Sequence, residues 1–478
     1  MPGRLLSVAA RPLSRVRHLR VGQVVTAGVL VLCVAGGFAL RAHEASAPSA
    51  RISADERAYG RIALALSTSG TYGDPDMKNP YQWAPGAPAL FAAARRLGGG
   101  WVHPGFRLQA AFWAQAAVGT LAIAVAFGLA ALVAGGIAAP LAAGAAGLAG
   151  AAAVALYPPL VAAAGSELSE PLGGLLLVAA CAALAAAQRR RRTKRLVLCG
   201  ALLGAAVLTR ADLLLAPLLA AAIVAWQVPL RPDARGRLTA AAVVLLASIA
   251  VAGPWILGAS LTKHRFVAVS DGGASALYIG TFLPGGGTLA GLKHELAGEV
   301  RHRHPGLRHV HAFDIPAVYV LRTVAERHPG VGQRAALRLE ARRNLDDYAL
   351  GQPGAFLSMM ARKAGRMWLM PSRSTLRTHE GSRARSRTVH LALLAAALLG
   401  LAAGLWRRRH PALLLVAAVL VYSTLLNTIL VAEARHNLPL LPALYAAGAA
   451  GWAIAFARRG PALDGSLTEP GRSLAAPR

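Results

Sequence analysis

Five short polar stretches interrupt an otherwise apolar sequence, and their residue types suit the binding of an anionic substrate. They begin at Ser53, Asp74, Ser166, Thr209 and Glu433. Most of them place a charge beside a long apolar run, where that charge is costly unless it is hydrated or paired. The planar guanidinium of an arginine suits a bidentate grip on phosphate. The pattern therefore indicates a cleft for a substrate that carries a phosphate and a lipid tail.

Carboxylates dominate two of these stretches. Asp55 and Glu56 follow the first apolar run, and Glu167 and Glu170 lie at the mouth of an apolar hairpin. A structural explanation is open for both pairs, because the helix dipole favours acids at a helix N-terminus and Ser166 could cap a helix. The apolar spacing after the first pair predicts that Asp55 faces the bundle and Glu56 its flank. We expect partial desolvation to raise the proton affinity of Asp55.

The other three stretches carry the candidate cations. Lys78 lies with Tyr81 in a turn-rich segment, and a solvated turn would explain it without a function. Arg210 could pair with an acid two residues later, which would be a sufficient structural explanation. Arg435 precedes His436 at the end of an apolar run, where an interfacial anchor is the alternative. Phosphate binding is therefore one of two interpretations at each of these places.

Several other kinds of chemistry lack support. The histidine-rich stretch at 302–311 is interleaved with arginines, which disfavour a divalent ion, so a metal cofactor is possible but not indicated. No Walker loop, Rossmann glycine fingerprint, HExxH or GxSxG motif occurs. The net charge of +30 comes from basic clusters between apolar runs, without the aromatic or Cys/His patterns of nucleic-acid-binding proteins. Nucleotide chemistry and nucleic-acid binding are therefore unsupported.

The elements that must position these residues are membrane-spanning helices. Of the 478 residues 55% are apolar and 15% charged, and the mean hydropathy is +0.47, which leaves too little polar surface for a soluble protein. A span needs roughly 20 apolar residues. Ten candidate spans lie at about 21–41, 108–133, 138–156, 170–187, 196–209, 213–229, 238–258, 389–405, 411–431 and 438–457.

Basic clusters predict the orientation of these spans. With ten spans, the clusters at 189–195, 231–237, 407–409 and 458–459 all fall on the side of the N-terminus. That side is the cytoplasm by the positive-inside rule. We therefore expect a multi-pass protein of the bacterial cytoplasmic membrane whose five polar stretches face outward.

The predicted fold class is all-α and polytopic, with two large outer-face loops that carry amphipathic helices. Its parts are a basic cytoplasmic N-terminus (1–20), a transmembrane core (21–258) with a first outer loop (42–107), an outer-face region (259–388), C-terminal transmembrane helices (389–457) and a cytoplasmic tail (458–478). Apolar periodicity predicts surface helices around 55–66, 90–97, 331–349 and 354–370. Such helices next to a span usually lie in the plane of the interface.

Taken together, the five stretches resemble the motifs of the GT-C superfamily of membrane glycosyltransferases. The likeness is to the branch that contains protein O-mannosyltransferases and the aminoarabinose transferases of lipid A. The matching elements are Asp55-Glu56, Lys78 to Pro88, Ser169-Glu170-Pro171, Thr209 to Asp212 and Arg435-His436-Asn437-Leu438-Pro439. His436 stands where a tyrosine is usual, and the sugar and the acceptor are left open.

The resemblance implies transfer of a sugar, with inversion, from a polyprenyl-phosphate donor to a hydroxyl of a glycan, lipid or protein at the outer face. The implied catalytic residues are Asp55, as general base, and Glu56. The implied donor-phosphate ligands are Lys78, Arg435 and Arg210, which would stabilise the departing anion. The implied substrate-binding residues are Glu167, Glu170, Tyr59, Tyr81 and His436.

Two other classes of function are open. A transporter or lipid flippase could use the same outer-face polar cleft, although transporters commonly show internal repeats and none is evident in this sequence. A membrane assembly protein could also keep the scaffold without catalysis. Sugar release from a labelled polyprenyl-phosphate donor would separate the transferase from both alternatives.

Overall fold

The computed structural model describes residues 10–48, 52–103, 105–188, 192–228, 230, 233–372 and 380–457. Residues 1–9 of the basic N-terminus, the cations at 189–191 and 231, and the tail from 458 lie outside the described residues. The helices are α1 (Ala10–Ser46), α2 (Ala54–Thr68), α3 (Gly86–Gly98), α4 (Gln109–Ala134), α5 (Pro140–Leu156), α6 (Pro158–Ala162), α7 (Glu170–Ala187), α8 (Arg192–Thr209), α9 (Ala216–Gln227), α10 (Ala234–Thr262), α11 (Gly273–Thr281), α12 (Leu289–Arg303), α13 (Ala317–Ala325), α14 (Gln333–Asn344), α15 (Pro353–Leu369), α16 (Glu380–Arg407), α17 (Pro411–Ile429) and α18 (Leu441–Phe456).

Shorter elements complete the description. Two strands, β1 (Val102–His103) and β2 (Arg107–Leu108), form an antiparallel hairpin before α4. Single 3₁₀ turns occupy Pro80–Gln82, Ala163–Gly165, Ala211–Leu213, Pro305–Leu307, Ala312–Asp314 and Ala434–Asn437, and a π-helical segment covers Leu345–Leu350. The all-α polytopic fold class is thus confirmed.

A helix lies at each of the ten predicted spans. Within the described chain six of them, α1, α4, α7, α10, α16 and α17, are long and apolar enough to cross a membrane, and the bent pair α5–α6 makes a seventh candidate. The bend of 59° follows Tyr157, where Pro158 and Pro159 begin the next helix and cannot continue the ladder of α5. The helices α9 and α18 are apolar but shorter, and α8 begins with Arg192, Lys194 and Arg195.

Small residues allow the spans to pack closely. A Cβ at Gly448 would lie 2.5 Å from the Ala397 carbonyl oxygen, and one at Gly451 would lie 1.9 Å from the Gly400 carbonyl oxygen. The backbones of α16 and α18 therefore touch, in the way that glycine permits between membrane helices. One apolar core runs through the spans and includes residues of α4, α5, α7, α8, α9, α16, α17 and α18.

The second outer segment has its own core and is tied to the spans by a buried lysine. Helices α11 to α14 enclose that core. The Lys363 ammonium of α15 is fully buried and donates to the carbonyls of Gly280 and Leu430, each at 2.8 Å. A Cβ at Gly280 would lie 1.6 Å from the Leu430 oxygen. The C-terminal ends of α11 and α17 thus contact each other through their backbones. The Lys363 ammonium satisfies one carbonyl group at each end.

The predicted orientation of the spans in the membrane gives a first testable prediction. Single cysteines placed at Ser69 and Gly306, both exposed in the two long loops, should react with a membrane-impermeant thiol reagent in cells whose outer barrier has been made permeable. Arg408→Cys, between α16 and α17, should react only after lysis. The parent chain, whose Cys181 and Cys199 are buried and whose Cys33 is partly buried within α1, is the control for background labelling. The opposite labelling pattern would overturn the orientation.

Candidate functional site

Helix α2 has two acids, Asp55 and Glu56, in its first turn, and its start is fixed by a capping box. The Ser53 hydroxyl accepts from the Glu56 N–H at 3.2 Å, and the Glu56 carboxylate accepts from the Ser53 N–H at 2.9 Å. Asp55 lies in this fixed first turn. Its Oδ1 accepts from the indole N–H of Trp83 at 3.2 Å, which holds the carboxylate on the side of α2 that faces the turn before α3.

Asp55 forms an ion pair with Arg435, 380 residues away in the sequence. The Arg435 guanidinium approaches Asp55 Oδ2 to 2.5 Å, and its Nε donates to Glu433 at 3.0 Å. The pair is still open to a ligand, since the Asp55 side chain is 34% exposed and that of Arg435 20%. A carboxylate and a phosphate-binding cation therefore share one accessible place.

The pKa of the Asp55 carboxyl lies below its ordinary value. Burial raises this pKa, but the charge of Arg435 and the hydrogen bonds from Arg435 and Trp83 outweigh the burial. The expectation of a raised proton affinity was therefore wrong for the protein without ligand. That expectation took account of desolvation only, because the sequence did not reveal the cationic partner.

Glu56 is the more buried of the two acids, so the expected phase of α2 was also wrong. Its Oε1 accepts from the Arg107 guanidinium at 3.4 Å and from the Glu167 N–H at 3.3 Å. Arg107 also donates to the Gly165 carbonyl at 2.9 Å. Glu56 and Arg107 thus join α2, β2 and the turn before α7, and Asp55 is left as the acid that a ligand can reach.

Glu167 is fully buried beneath α2. Its Oε1 accepts from the Leu108 N–H at 2.7 Å, while its Oε2 has no hydrogen-bond partner and lies 4.0 Å from the Nε of Arg107. Burial raises the pKa of this carboxyl to about 8, although the Leu108 N–H and Arg107 act in the opposite direction. Glu167 is therefore a structural acid that is mostly protonated at neutral pH.

Arg210 joins the turn before α9 to the start of α7. It holds Asp212 with two hydrogen bonds of 3.0 and 2.9 Å, which confirms the ion pair expected from the sequence. It also lies 3.2 Å from Glu170 Oε1 and 3.3 Å from the Ser169 hydroxyl. Glu170 and Arg210 are thus both buried and paired.

His436 and Tyr59 connect this group to the Asp55–Arg435 pair. Burial lowers the pKa of His436, and the charges of Arg435 and Arg210 lower it further. Burial raises the pKa of Tyr59, and the charges of Asp55 and Glu170 raise it further. Because both side chains interact with both groups of charges, four of the five polar stretches meet in one cluster.

The fifth stretch lies apart from this cluster. Tyr81 packs against Trp255 and Tyr72, with ring centroids 5.6 and 5.5 Å apart, and Lys263 lies 5.2 Å from its ring centroid. Lys78 is exposed, and within the described ranges its ammonium has no ion-pair or hydrogen-bond partner. The structure thus does not bring Lys78 and Tyr81 into contact with the Asp55–Arg435 pair.

Sequence reasoning missed Trp83 and Arg107. Trp83 lies in the turn-rich segment of Lys78, where no feature of the sequence indicated a contact with Asp55. Arg107 gave a usable signal, since it directly precedes the second span on the outer side, where the positive-inside rule disfavours cations. An arginine in that position indicates a buried acidic partner.

Comparison with solved structures identifies the fold of the chain. No family model and no curated protein matches the sequence. Two solved structures of the oligosaccharyltransferase from Archaeoglobus fulgidus match: AglB with an inhibitory peptide and a dolichol-phosphate, at 15% identity, and the apo form, at 16%. Both matches have a TM-score of 0.50 and cover 89% of this chain and 50% of the archaeal one. The chain has a GT-C fold.

The chain spans about half the length of the archaeal oligosaccharyltransferase. The structure of ArnT from Cupriavidus metallidurans bound to undecaprenyl phosphate is also similar, at 20% identity with a TM-score of 0.40, and covers 89% of this chain and 78% of that one. The expected GT-C architecture is confirmed by the archaeal comparison.

The raised pKa of Glu167 predicts a pH dependence of stability. A carboxyl whose pKa is about 8 in the folded protein and about 4.3 when unfolded binds its proton more tightly in the folded state. Its stabilising contribution is complete below the unfolded pKa and is lost as the pH rises through 8. The Tm of the purified wild type should therefore fall more steeply between pH 5 and pH 8 than that of Glu167→Gln.

The matched control for this prediction is Glu295→Gln, at an exposed position of α12, which should follow the wild-type curve. Glutamine at 167 retains an oxygen that can accept from the Leu108 N–H. Parallel Tm curves for the wild type and Glu167→Gln would show that Glu167 is ionised throughout.

Proposed function

We propose that this protein is a membrane glycosyltransferase that moves a sugar from a polyprenyl phosphate to an acceptor hydroxyl at the outer face of the cytoplasmic membrane. The GT-C fold and the cluster of charges at the outer ends of the spans support this proposal. The donor would be a pentose or hexose on the lipid phosphate, and the acceptor a glycan, lipid or protein.

The observation that carries the proposal is the contact between Asp55 and Arg435. Direct sugar transfer needs a base for the acceptor hydroxyl and a cation for the departing phosphate, only a few ångströms apart. The proposed base and the proposed cation lie 2.5 Å apart and are both partly exposed, which supports this assignment. The pair joins the helix after the first span to the turn before the last one, so that the complete bundle is needed to form it.

The proposed reaction is a single displacement at the anomeric carbon. The acceptor oxygen attacks that carbon while the bond from the carbon to the phosphate oxygen breaks, and the electron pair leaves with the lipid phosphate. The proton of the acceptor hydroxyl passes to the Asp55 carboxylate. Arg435 and Arg210 stabilise the negative charge on the leaving phosphate. Attack opposite to the leaving group inverts the anomeric configuration.

The resting ion pair implies an order of events. While Arg435 holds Asp55, the pKa of that carboxyl is lowered and the group is a weak base. A lipid phosphate that binds Arg435 replaces the carboxylate as the partner of the guanidinium. Asp55 then loses its main source of stabilisation as an anion, and its proton affinity rises toward the value that suits a base. Donor binding therefore precedes activation of the acceptor.

The donor lipid and Lys78, the third proposed ligand of the donor phosphate, have separate support. The archaeal structure with the same fold contains a dolichol-phosphate, which is a polyprenyl-type phosphate. Lys78 is exposed and has no ion-pair partner in the described chain, so its ammonium is available to a phosphate that enters from the side of the first outer loop. Tyr81 is proposed to contact the substrate from the same side.

Replacing Asp55 with Asn tests the base. Asparagine keeps the size and the hydrogen-bond acceptor for Trp83 but cannot take the proton. Loss of a general base costs about 100- to 10,000-fold in rate. Asp55→Asn should therefore bind polyprenyl phosphate yet transfer sugar at least about 100-fold more slowly, measured with purified protein in nanodiscs and a panel of radiolabelled polyprenyl-phosphate pentoses and hexoses.

Asp74→Asn is the matched control. Asp74 lies in the same loop, pairs with Arg61 at 2.6 Å and is 28% exposed, but it lies outside the cluster. This variant should keep turnover within about twofold of the wild type. Normal turnover by Asp55→Asn would remove Asp55 from catalysis, and a flippase without transferase activity would move the labelled lipid across the bilayer without releasing its sugar.

Replacing Arg435 with Lys tests the phosphate site. The ammonium keeps the charge but loses the planar, two-bond grip, so binding of polyprenyl phosphate should weaken by about tenfold, the equivalent of one charge-assisted hydrogen bond. Affinity is measured by competition with a fluorescent polyprenyl phosphate in nanodiscs. Arg61→Lys, at the partner of Asp74, serves as control, and unchanged affinity in Arg435→Lys would exclude Arg435 from the site.

A further inference from the structure

Trp83 contacts the proposed base through a hydrogen bond from an uncharged donor. Its indole N–H donates to Oδ1 of Asp55 at 3.2 Å, whereas the Arg435 guanidinium lies against Oδ2. The two oxygens of this carboxylate therefore have different partners. Indole is a hydrogen-bond donor only, so Trp83 cannot take up the proton of an acceptor hydroxyl. It can orient the Asp55 carboxylate and stabilise its ionised form.

The position of Trp83 is fixed by contacts that do not involve Asp55. The Tyr72 hydroxyl donates to the Trp83 carbonyl at 3.0 Å, and the indole packs against the apolar core that α2 and α3 share. Two residues earlier, the Tyr81 carbonyl accepts from the Asp271 N–H at 2.7 Å. The Asp271 carboxylate is in turn held by Arg334 of α14 at 3.0 Å. The indole N–H therefore keeps its place when other partners of Asp55 move.

Binding of a lipid phosphate in the proposed order of events would separate the two partners of Asp55. The phosphate competes for the cationic guanidinium of Arg435, which forms the stronger, charge-assisted pairs. The neutral indole is attracted to a phosphate less strongly, and its own contacts hold it beside α2. Oδ2 of Asp55 thus becomes free while Oδ1 remains bound.

We infer that Trp83 is a positioning residue for the proposed reaction, whose indole N–H occupies Oδ1 of Asp55 so that Oδ2 takes the proton of the acceptor hydroxyl. As the acceptor oxygen bonds to the anomeric carbon, its proton moves to Oδ2 and the electron pair of the broken bond leaves with the lipid phosphate. Trp83 fixes the direction of the Oδ2 lone pairs during this step. This inference rests on the proposed function.

The groups around Asp55 determine what loss of the indole N–H does to its ionisation. Burial raises the pKa of the Asp55 carboxyl, and Arg435, Trp83 and His436 lower it. The other titratable groups that interact with Asp55 or Arg435 are Tyr59, Glu433 and Glu170. Once Arg435 has turned to the phosphate, Trp83 is the one side-chain donor to Asp55 left among the described contacts. Removal of its N–H should therefore raise the pKa of the base most in the donor complex.

Trp83→Phe tests the inference. Sugar release from radiolabelled polyprenyl-phosphate pentoses and hexoses to water and methanol, used as acceptor probes, would be measured in nanodiscs between about pH 4 and pH 9. At saturating donor kcat should fall about tenfold, while KM for the donor lipid stays within about twofold. The acid limb of kcat should move up by about one pH unit, the equivalent of one hydrogen bond to a charged group. The limb of kcat/KM should move less, because it reports the free enzyme, in which Arg435 still holds Asp55.

Trp452→Phe is the matched control. It also removes an indole hydrogen bond, of 2.9 Å to the Ala396 carbonyl between α18 and α16, but far from Asp55 in the sequence and outside the charged cluster. This variant should keep kcat within about twofold of the wild type and leave the acid limb in place. A change that only lowers stability reduces the amount of active protein at every pH and does not move the limb.

A second variant keeps the inference testable if Trp83→Phe does not fold. An amino acid with benzothiophene in place of indole, incorporated at position 83 alone, keeps the bicyclic shape and removes the N–H. It should move the acid limb of kcat by the same amount. An unmoved limb in a folded variant, with or without a lower rate, would make Trp83 a packing residue and overturn the inference. A wild type that releases no sugar from any lipid of the panel would instead overturn the proposed function.

Discussion

The need to compensate charge next to the apolar spans controls the architecture around the candidate site. Three ion pairs in the cluster join different elements: Asp55 pairs with Arg435, Glu56 with Arg107, and Glu170 with Arg210. Leaving one member of a buried pair alone costs about 3–5 kcal/mol. The outer loops are therefore fixed to the spans by the same contacts that form the candidate site.

The charges of two other cations, Lys363 and Arg41, are compensated by carbonyl groups at helix ends instead of by acids. Lys363 bonds to the last carbonyls of α11 and α17, and Arg41 to those of α5. The C-terminal carbonyls of a helix have no partner within the helix, and a cation placed there satisfies them and interacts favourably with the helix dipole. The two kinds of compensation differ in function, since ion pairs can exchange partners with an anionic ligand and helix-end contacts are structural.

The sequence predicted the positions of the helices better than the contacts between them. Apolar runs located ten helices, apolar periodicity located α2 and α3, and the spacing of Arg210 and Asp212 offered their pair as one interpretation. The burial of Glu56 and the low pKa of Asp55 were not predicted, because both depend on Arg107 and Arg435, which come from distant parts of the chain. Local periodicity fixes which face of a helix is apolar, but the position of a cation 380 residues away is set only by the packed bundle.

The shortness of α18 has a consequence for the depth of the site. Its 16 residues rise about 24 Å, less than the ~30 Å of hydrocarbon in a typical bilayer. If its C-terminal end, followed in sequence by Arg458 and Arg459, is anchored at one interface, its first residue, Leu441, lies about 6 Å below the opposite boundary of the hydrocarbon. The equally apolar α9, after Arg210, has only 12 residues. The turns that lead from Arg435 and Arg210 into these two helices therefore end inside the hydrocarbon layer, and a thicker bilayer would draw both helix starts deeper.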